Sequence, residues 1–298
     1  MDGAALAVTD MDALMALVRG DDPAQAKERL AFWQAATGGL TAPDAALEAE
    51  LALDILALRG LVPAERLRAR RAAMLARAAA RIRAVSQPTV SDRRREVALG
   101  DAERLNLTQP FHGFFATEVF DLRFRRFDGE LSPVVSREVF VAADAVTVLP
   151  WDPRRDRVLL VEQMRTAPLA RGERNPWQLE AVAGRIDPGE TPQDAARREA
   201  FEEAGLRIGA LEPIAEYYPS PGAMTEYLYS YLAPCDLPDG AAGQFGLSEE
   251  AEDIRGHLVE FNDLVAELDS GQFSNAPLIL SVQWLIRHHE RLLARHRR

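Results

Sequence analysis

Glu199, Glu202 and Glu203 are the residues of this sequence best suited to chemistry. On a helix, spacing of i, i+3 and i+4 brings three carboxylates to one face. Adjacent carboxylates repel, so a stable fold must either neutralise them or use them. A solvated face with Arg197 and Arg198 as counter-charges is one solution, and charge patterning taken alone favours it. The other is a hard divalent cation, which takes oxygen ligands and keeps waters and substrate phosphates in its shell.

The flanking residues are those needed to position such a trio. From Gly184 to Leu206 the chain reads GRIDPGETPQDAARREAFEEAGL, a glycine turn followed by a helix. Thr191 is an expected N-cap, Pro192 a first helical residue, and Asp194 completes an arrangement close to a capping box. Gly205 is placed to stop the helix in a left-handed conformation.

Gly184, Glu190, Arg198, Glu199, Glu202, Glu203, Gly205 and Leu206 together keep every spacing of the Nudix signature, with Ala200 at the small aliphatic position before Phe201. The segment resembles a Nudix box, the metal site of enzymes that hydrolyse a nucleoside diphosphate linked to another group. The resemblance implies an α/β fold, the Nudix α/β/α sandwich with a mixed sheet, and it reverses the preference for a solvated face.

Composition sets the outer bounds. The 298 residues allow two modest domains or one large one, and 47% hydrophobic residues can bury a sizeable core. A net charge of -11 argues against general nucleic-acid or anionic-membrane binding, so neither partner is expected. A phosphorylated substrate stays compatible, because a bound metal reverses the local field. One cysteine, Cys235, excludes an intramolecular disulfide and fits a reducing cytoplasm, with a buried thiol the expected role. The first residues lack the basic start of a signal peptide, and no apolar run is long enough to span a bilayer.

In chain order, residues 1–92 read as a small all-helical domain with no family resemblance, and residues 105–298 as the domain carrying the box. Helices are expected from Asp10-Met11 to Gly20, from Asp22-Pro23 to Gly38, from Thr41 to Gly60, and from Pro63 to about Val85. The last carries Arg66, Arg68, Arg70, Arg71, Arg77, Arg81 and Arg83 and is expected to be a solvated basic helix. Ser86 to Asp92 reads as a linker. From Phe111 the sequence alternates, and Asp128-Gly129 signals a hairpin. A second strand pair is expected at Val134–Phe140 and Ala145–Leu149. Further strands are expected at Arg157–Glu162, Trp177–Ala183, Glu212–Tyr217, Glu226–Leu232 and Arg255–Glu260. Asp236–Gly246 reads as a loop, and two helices close the chain.

Outside the box, several stretches resemble the ADP-ribose pyrophosphatase branch of the Nudix enzymes. They are GFF at 113–115, SREVF at 136–140, VEQMR at 161–165, PWQLEAVAG at 176–184, SPGAMTE at 220–226, EEAEDI at 249–254 and NAPLILSVQWL at 275–285. The resemblance covers roughly Phe111 to His289 and is shared with bacterial Nudix proteins associated with tellurite resistance. Ala223-Met224 depart from the branch, where glycine or a small polar residue often follows SPG.

The resemblance implies roles. Magnesium, with manganese as an alternative, would be held by Glu199, Glu203, Glu252 and the Ala183 carbonyl. Glu202 joins these ligands or holds a coordinated water. Glu250 is the expected general base. Arg137 and Arg165 are expected phosphate contacts, and Met224 lies in the loop expected near the terminal sugar. Glu180 either touches the adenine side or orients Arg165; Phe114 or Phe115 either stacks on the base or fills the core. Glu190 and Arg198 would brace the loop against the helix. Members of the branch are dimers, so a homodimer is expected. The implied activity is cleavage of ADP-ribose, or a related nucleoside diphosphate sugar, to AMP and a sugar phosphate. Two other readings stand beside it: a dinucleotide substrate, or a catalytically weak ligand sensor whose helical domain binds a partner. Sensors commonly lose box glutamates, whereas all are present here.

Overall fold

The computed structural model describes residues 8–39, 41–42, 44–87, 93–246 and 252–296. Two compact units emerge. The first comprises the described residues of Met1–Ala143 with Asp187–Gly189 and Ser220–Glu226. The second comprises those of Asp144–Ile186, Glu190–Pro219 and Tyr227–Arg298.

The first unit begins with five helices: α1 (Met11–Arg19), α2 (Pro23–Thr37), α3 (Ala45–Ala57), α4 (Ala64–Arg68) and α5 (Arg71–Ser86). Asp10, Asp22 and Asp44 each cap a helix by accepting a backbone N–H from Ala13, Ala24 and Leu47 respectively. Leu14, Val18, Leu51, Ile55, Leu67 and Met74 form the shared core. The expected fourth helix is two helices, broken at Ala69–Arg70. No glycine or proline marks the break; Arg70 instead reaches the carbonyl of His112, a tertiary contact that overrides local propensity. Nor is α5 a solvated basic helix: Met74 through Ala80 are all buried, Arg77 among them. Arg81 pairs with Glu50 at 2.9 Å and Asp54 at 2.7 Å. Ser86 closes α5, and the rest of the expected linker, from 88 to 92, lies outside the described residues.

A three-stranded antiparallel sheet follows, β1 (Ala102–His112), β2 (Ala116–Phe124) and β3 (Val135–Val141), in that order. β1 is an edge strand, mostly exposed, and carries Pro110, so it lacks the alternation that would have revealed it before Phe111. The Asp128-Gly129 turn does connect β2 to β3, with Arg126 donating to Glu130 at 2.8 Å. β3 pairs with β2 rather than with the strand that follows it.

The second unit holds β4 (Ala145–Asp152), β5 (Arg157–Met164), α6 (Thr166–Arg171), β6 (Trp177–Glu180), β7 (Val182–Arg185), α7 (Pro192–Ala204), β8 (Glu212–Tyr217), β9 (Leu228–Pro234), β10 (Gln244–Phe245), β11 (Ile254–Glu260), α8 (Phe261–Asp269) and α9 (Ala276–His296). The sheet runs β10-β11-β5-β4-β9-β8, with β6 on β5 and β7 on β4. It is mixed, since β4 and β9 are parallel and the other pairs antiparallel. The expected strand Trp177–Ala183 is two strands that separate at Ala181 to pair with different neighbours. Part of the expected loop Asp236–Gly246 forms β10, and α6 was not expected.

Every residue of β4 is buried, as a strand covered on both faces requires. Val146 and Val148 meet α7 together with Leu159 and Val161 of β5. Leu149, Trp151, Val158 and Leu160 point the other way, to Leu264 of α8 and Leu278, Val282 and Leu285 of α9. Helices therefore cover both sides of the sheet, giving the expected α/β/α sandwich. His289 is structural, with its ring stacked on Phe261 at 3.5 Å and Nε2 2.7 Å from Asp156.

Candidate active site

The site is built on α7. Thr191 caps it, accepting from the Asp194 N–H at 3.2 Å, and Pro192 opens its first turn. Gly205 ends it at φ 65°, and Leu206 N–H returns to the Ala200 carbonyl. Ala195, Ala196, Ala200 and Ala204 form the face against the sheet. Their small size lets the helix approach closely enough to bury Glu199 and Glu203 along the same stripe.

β7 carries Gly184 directly opposite. A Cβ there would stand 1.9 Å from Cδ and Oε1 of Glu199, so any other residue would displace that carboxylate. The neighbouring Ala183 N–H donates to Glu203 Oε2 at 2.9 Å. Gln163 of β5 donates to the other Glu203 oxygen at 3.3 Å. Gln163 was assigned no role from the sequence. Its signal was parity, because it shares a strand face with Leu159 and Val161 and so had to point at the helix.

Arg198 is the hub of the cluster. Its Nη1 donates to Glu199 at 2.6 Å and to Glu202 at 3.1 Å. Nε and Nη2 grip Glu190, both at 2.9 Å, and Nη2 also donates to the Arg185 carbonyl. The bonds to Glu190 and Arg185 brace the loop against the helix, as expected. The Glu190 hydrogen bond, set against burial, raises the Arg198 pKa and keeps the guanidinium charged.

One arginine does not satisfy this many carboxylates. Burial, opposed by Arg198, pushes the Glu199 carboxyl up to about 7. Burial, opposed by the Ala183 N–H, pushes Glu203 up to about 8. Glu252 adds repulsion to both. Arg165 loses some basicity to burial, but its paired contact with Glu180, at 2.6 to 3.1 Å, more than restores it. Of the two expected roles for Glu180, this geometry fits orientation of Arg165.

The structure thus brings together Ala183, Glu199, Glu202 and Glu203, with Arg165, Glu180 and Glu252 in the same unit. Arg137 and Met224 belong to the first unit. Arg137 is exposed on β3 and donates to the Ser136 carbonyl at 2.8 Å. Met224 bridges to Phe140. Glu250 lies outside the described residues. Phe114 and Phe115 are 54% and 37% exposed, which removes the core-filling reading for both.

Among the described residues no group of three His, Cys, Asp or Glu side chains is arranged to hold a metal. The hydrogen bonds explain why: Arg198 draws Glu199 and Glu202, while Ala183 and Gln163 draw Glu203. The donor set nonetheless fits a hard divalent cation. It consists of oxygens, and two of the carboxylates are held toward neutrality by burial and mutual repulsion that positive charge would relieve.

The sequence model of the NUDIX domain matches residues 141–281. The ADP-ribose pyrophosphatase of Escherichia coli is 39% identical over 192 residues, covering 64% of this chain and 91% of that protein. The chain belongs to the NUDIX family. Within it, the similarity lies in the ADP-ribose pyrophosphatase branch. A GDP-mannose pyrophosphatase of Pectobacterium atrosepticum is 32% identical over 170 residues, covering 56% of this chain and 84% of that one. A solved structure described as an ADP compounds hydrolase shares the fold, with a TM-score of 0.51 at 22% identity, covering 68% of this chain and all of the other. In Nudix terms, α7 is the helix of the box, Gly184 its leading glycine, and Arg198 the residue that ties the box glutamates together.

Proposed function

We propose that this protein is a magnesium-dependent hydrolase of nucleoside diphosphate sugars, with ADP-ribose the first substrate to test and AMP and a sugar phosphate the products. The observation that carries the reading is the pair of buried carboxylates, Glu199 and Glu203, packed against Gly184 and Ala183 on one side of a Nudix sheet.

Water supplies an oxygen to one phosphorus, the bridging P–O bond breaks, and the bridging oxygen leaves on the other phosphate. Glu199, Glu203, Glu252 and the Ala183 carbonyl would hold the cation, with manganese able to replace magnesium. When bound, that cation neutralises phosphate charge and polarises the reacting oxygens. Glu250 accepts the proton of the attacking water, and Glu202 orients that water. Arg165, held by Glu180, presents a guanidinium to the phosphates, and Arg137 does the same from β3. Met224 borders the sugar. The nucleobase rests on the exposed aromatic surface of Phe114 and Phe115.

We further read the protein as a cytoplasmic homodimer. β1 exposes Leu105, Leu107 and Phe111, apolar surface that a second copy would cover. Among the described residues no helix is long and apolar enough to cross a membrane. Sedimentation at micromolar protein checks the dimer, and a stable monomer counts against it.

The deciding experiment is hydrolysis by the purified protein of ADP-ribose, GDP-mannose and a dinucleotide panel, with and without magnesium. Magnesium-dependent release of AMP, fastest from ADP-ribose, is expected. A faster rate on GDP-mannose would keep the chemistry and move the substrate. Binding without turnover would return the sensor reading.

A further inference from the structure

The tip of the β1–β2 hairpin is held from below by the helical part of its own unit. Arg77 of α5 is only 4% exposed, yet its guanidinium is spent on backbone. It donates to the Phe114 carbonyl at 2.8 Å and to the Gly113 carbonyl at 3.5 Å. Arg70, at the α4–α5 break, donates to the His112 carbonyl. Three successive carbonyls of the turn are therefore capped by two arginines from one helical layer.

Around the buried Arg77 lies a partly buried set of charges from three elements. Asp54 of α3 and Glu118 of β2 both act on it electrostatically, and Asp54 also pairs with Arg81. Burial raises the Glu118 carboxyl, and Gln109 of β1 donates to it at 3.2 Å. Such a set adds little net stability, because desolvation consumes the attraction. It does define one seating of α5 against the hairpin, since a shifted register would leave the buried Arg77 without its counterparts.

What is seated is an aromatic surface. Phe114 and Phe115 meet edge to face at 4.8 Å, and Phe115 contacts Phe140 of β3 at 4.7 Å. All three rings stay more than a third exposed. A tight turn bearing exposed rings would lose much of its value as a stacking platform if it moved, because ordering it would then be charged to each binding event.

We infer that the N-terminal helical segment is a clamp for this hairpin tip, and that Arg77, helped by Arg70, is a positioning residue for the nucleobase of the substrate. The clamp sets affinity for the base and takes no part in the bond-breaking step. It rests on the reading of the substrate as a nucleoside diphosphate derivative.

The test uses the full-length protein and the variants Arg77→Met and Arg70→Ala. Hydrogen exchange at residues 112–118 reports the tip, dialysis with AMP reports base binding, and steady-state hydrolysis of ADP-ribose separates KM from kcat. Arg77→Met should speed exchange at the tip, weaken AMP about tenfold and raise KM in parallel with little change in kcat, the scale of one lost stacking contact. Arg70→Ala should act in the same direction, by about threefold. Faster exchange at the tip with wild-type AMP affinity and KM overturns the clamp, as does unchanged exchange in both variants. If Arg77→Met does not fold, Arg70→Ala decides by the same readouts. Should the wild-type protein hydrolyse no nucleoside diphosphate sugar, the functional reading fails, and exchange together with AMP affinity still judges the clamp. Wild-type protein that binds no AMP overturns both.

Discussion

Gly184 and Glu199 occupy the same space to within one methyl group: a Cβ at 184 would lie 1.9 Å from the Glu199 carboxyl carbon. Gly184→Ala must therefore push Glu199 off its seat or lift α7 from β7. We expect a correctly folded variant with turnover reduced by about a hundredfold, the scale of an ångström-sized misplacement at a reacting centre. Steady-state kinetics beside a thermal melt checks this. Wild-type turnover would show that Glu199 needs no fixed seat.

Glu203 makes stability depend on pH and metal together. Its folded carboxyl is pushed up to about 8, while an unfolded glutamate titrates at about 4.3. The folded state therefore keeps a proton that the unfolded state has lost. This contribution is complete at low pH and disappears as pH rises toward the folded value. In chelator, the melting temperature of the wild-type protein should fall between pH 5 and pH 8 relative to Glu203→Gln. Magnesium should raise the wild-type melt at pH 8 and not that of the variant, whose turnover should drop more than about a hundredfold. Parallel melting curves in chelator would mean that Glu203 ionises freely.

Arg198 contacts Glu190, Glu199, Glu202 and the Arg185 carbonyl at once. A lysine keeps the charge but cannot fork across those partners. Arg198→Lys should therefore shift the magnesium dependence of activity by about 10- to 100-fold, with much of kcat recovered at saturating metal. A magnesium titration that superimposes on the wild type would reduce Arg198 to a counter-charge.

Cys235 is predicted to be inert. Burial, reinforced by the Asp152 charge, pushes its thiol up to about 12. Little thiolate exists at pH 8, so iodoacetamide should modify it at least about a hundredfold more slowly than a free thiol. Intact-mass kinetics, with guanidinium-unfolded protein as the fast control, measures the ratio.

The sequence displayed α7 almost completely, because caps, glycine stop and glutamate spacing are local signals. The sandwich followed from the resemblance of that stretch to a Nudix box. What stayed hidden was non-local. β1 is exposed and carries Pro110, so its residues gave no period. The division of Trp177–Ala183 into β6 and β7 depends on which neighbours each pairs with. The arginines of α5 looked like a solvated face because their partners, Glu50, Asp54 and the hairpin carbonyls, are distant in sequence. At the site, spacing and the resemblance together picked out the glutamates of α7, while the two roles open to Glu180 could be told apart only once the fold brought β5 and β6 side by side.

The parallel pairing of β4 with β9 has a consequence for the order of assembly. Thr147 and Ser230 share a side-chain hydrogen bond at 2.6 Å although they are 83 positions apart. The segment completing β3, in which Ala223 and Thr225 bond to Phe140, is made just before β9. A nascent chain halted ahead of Ser220 therefore has all three strands of its first sheet but not the bridge to Phe140, and its second sheet lacks β9 beside β4. This one late stretch therefore adds a partner to β3 and another to β4, so ribosome-bound chains of increasing length should gain protease resistance in β3 and β4 together once it emerges.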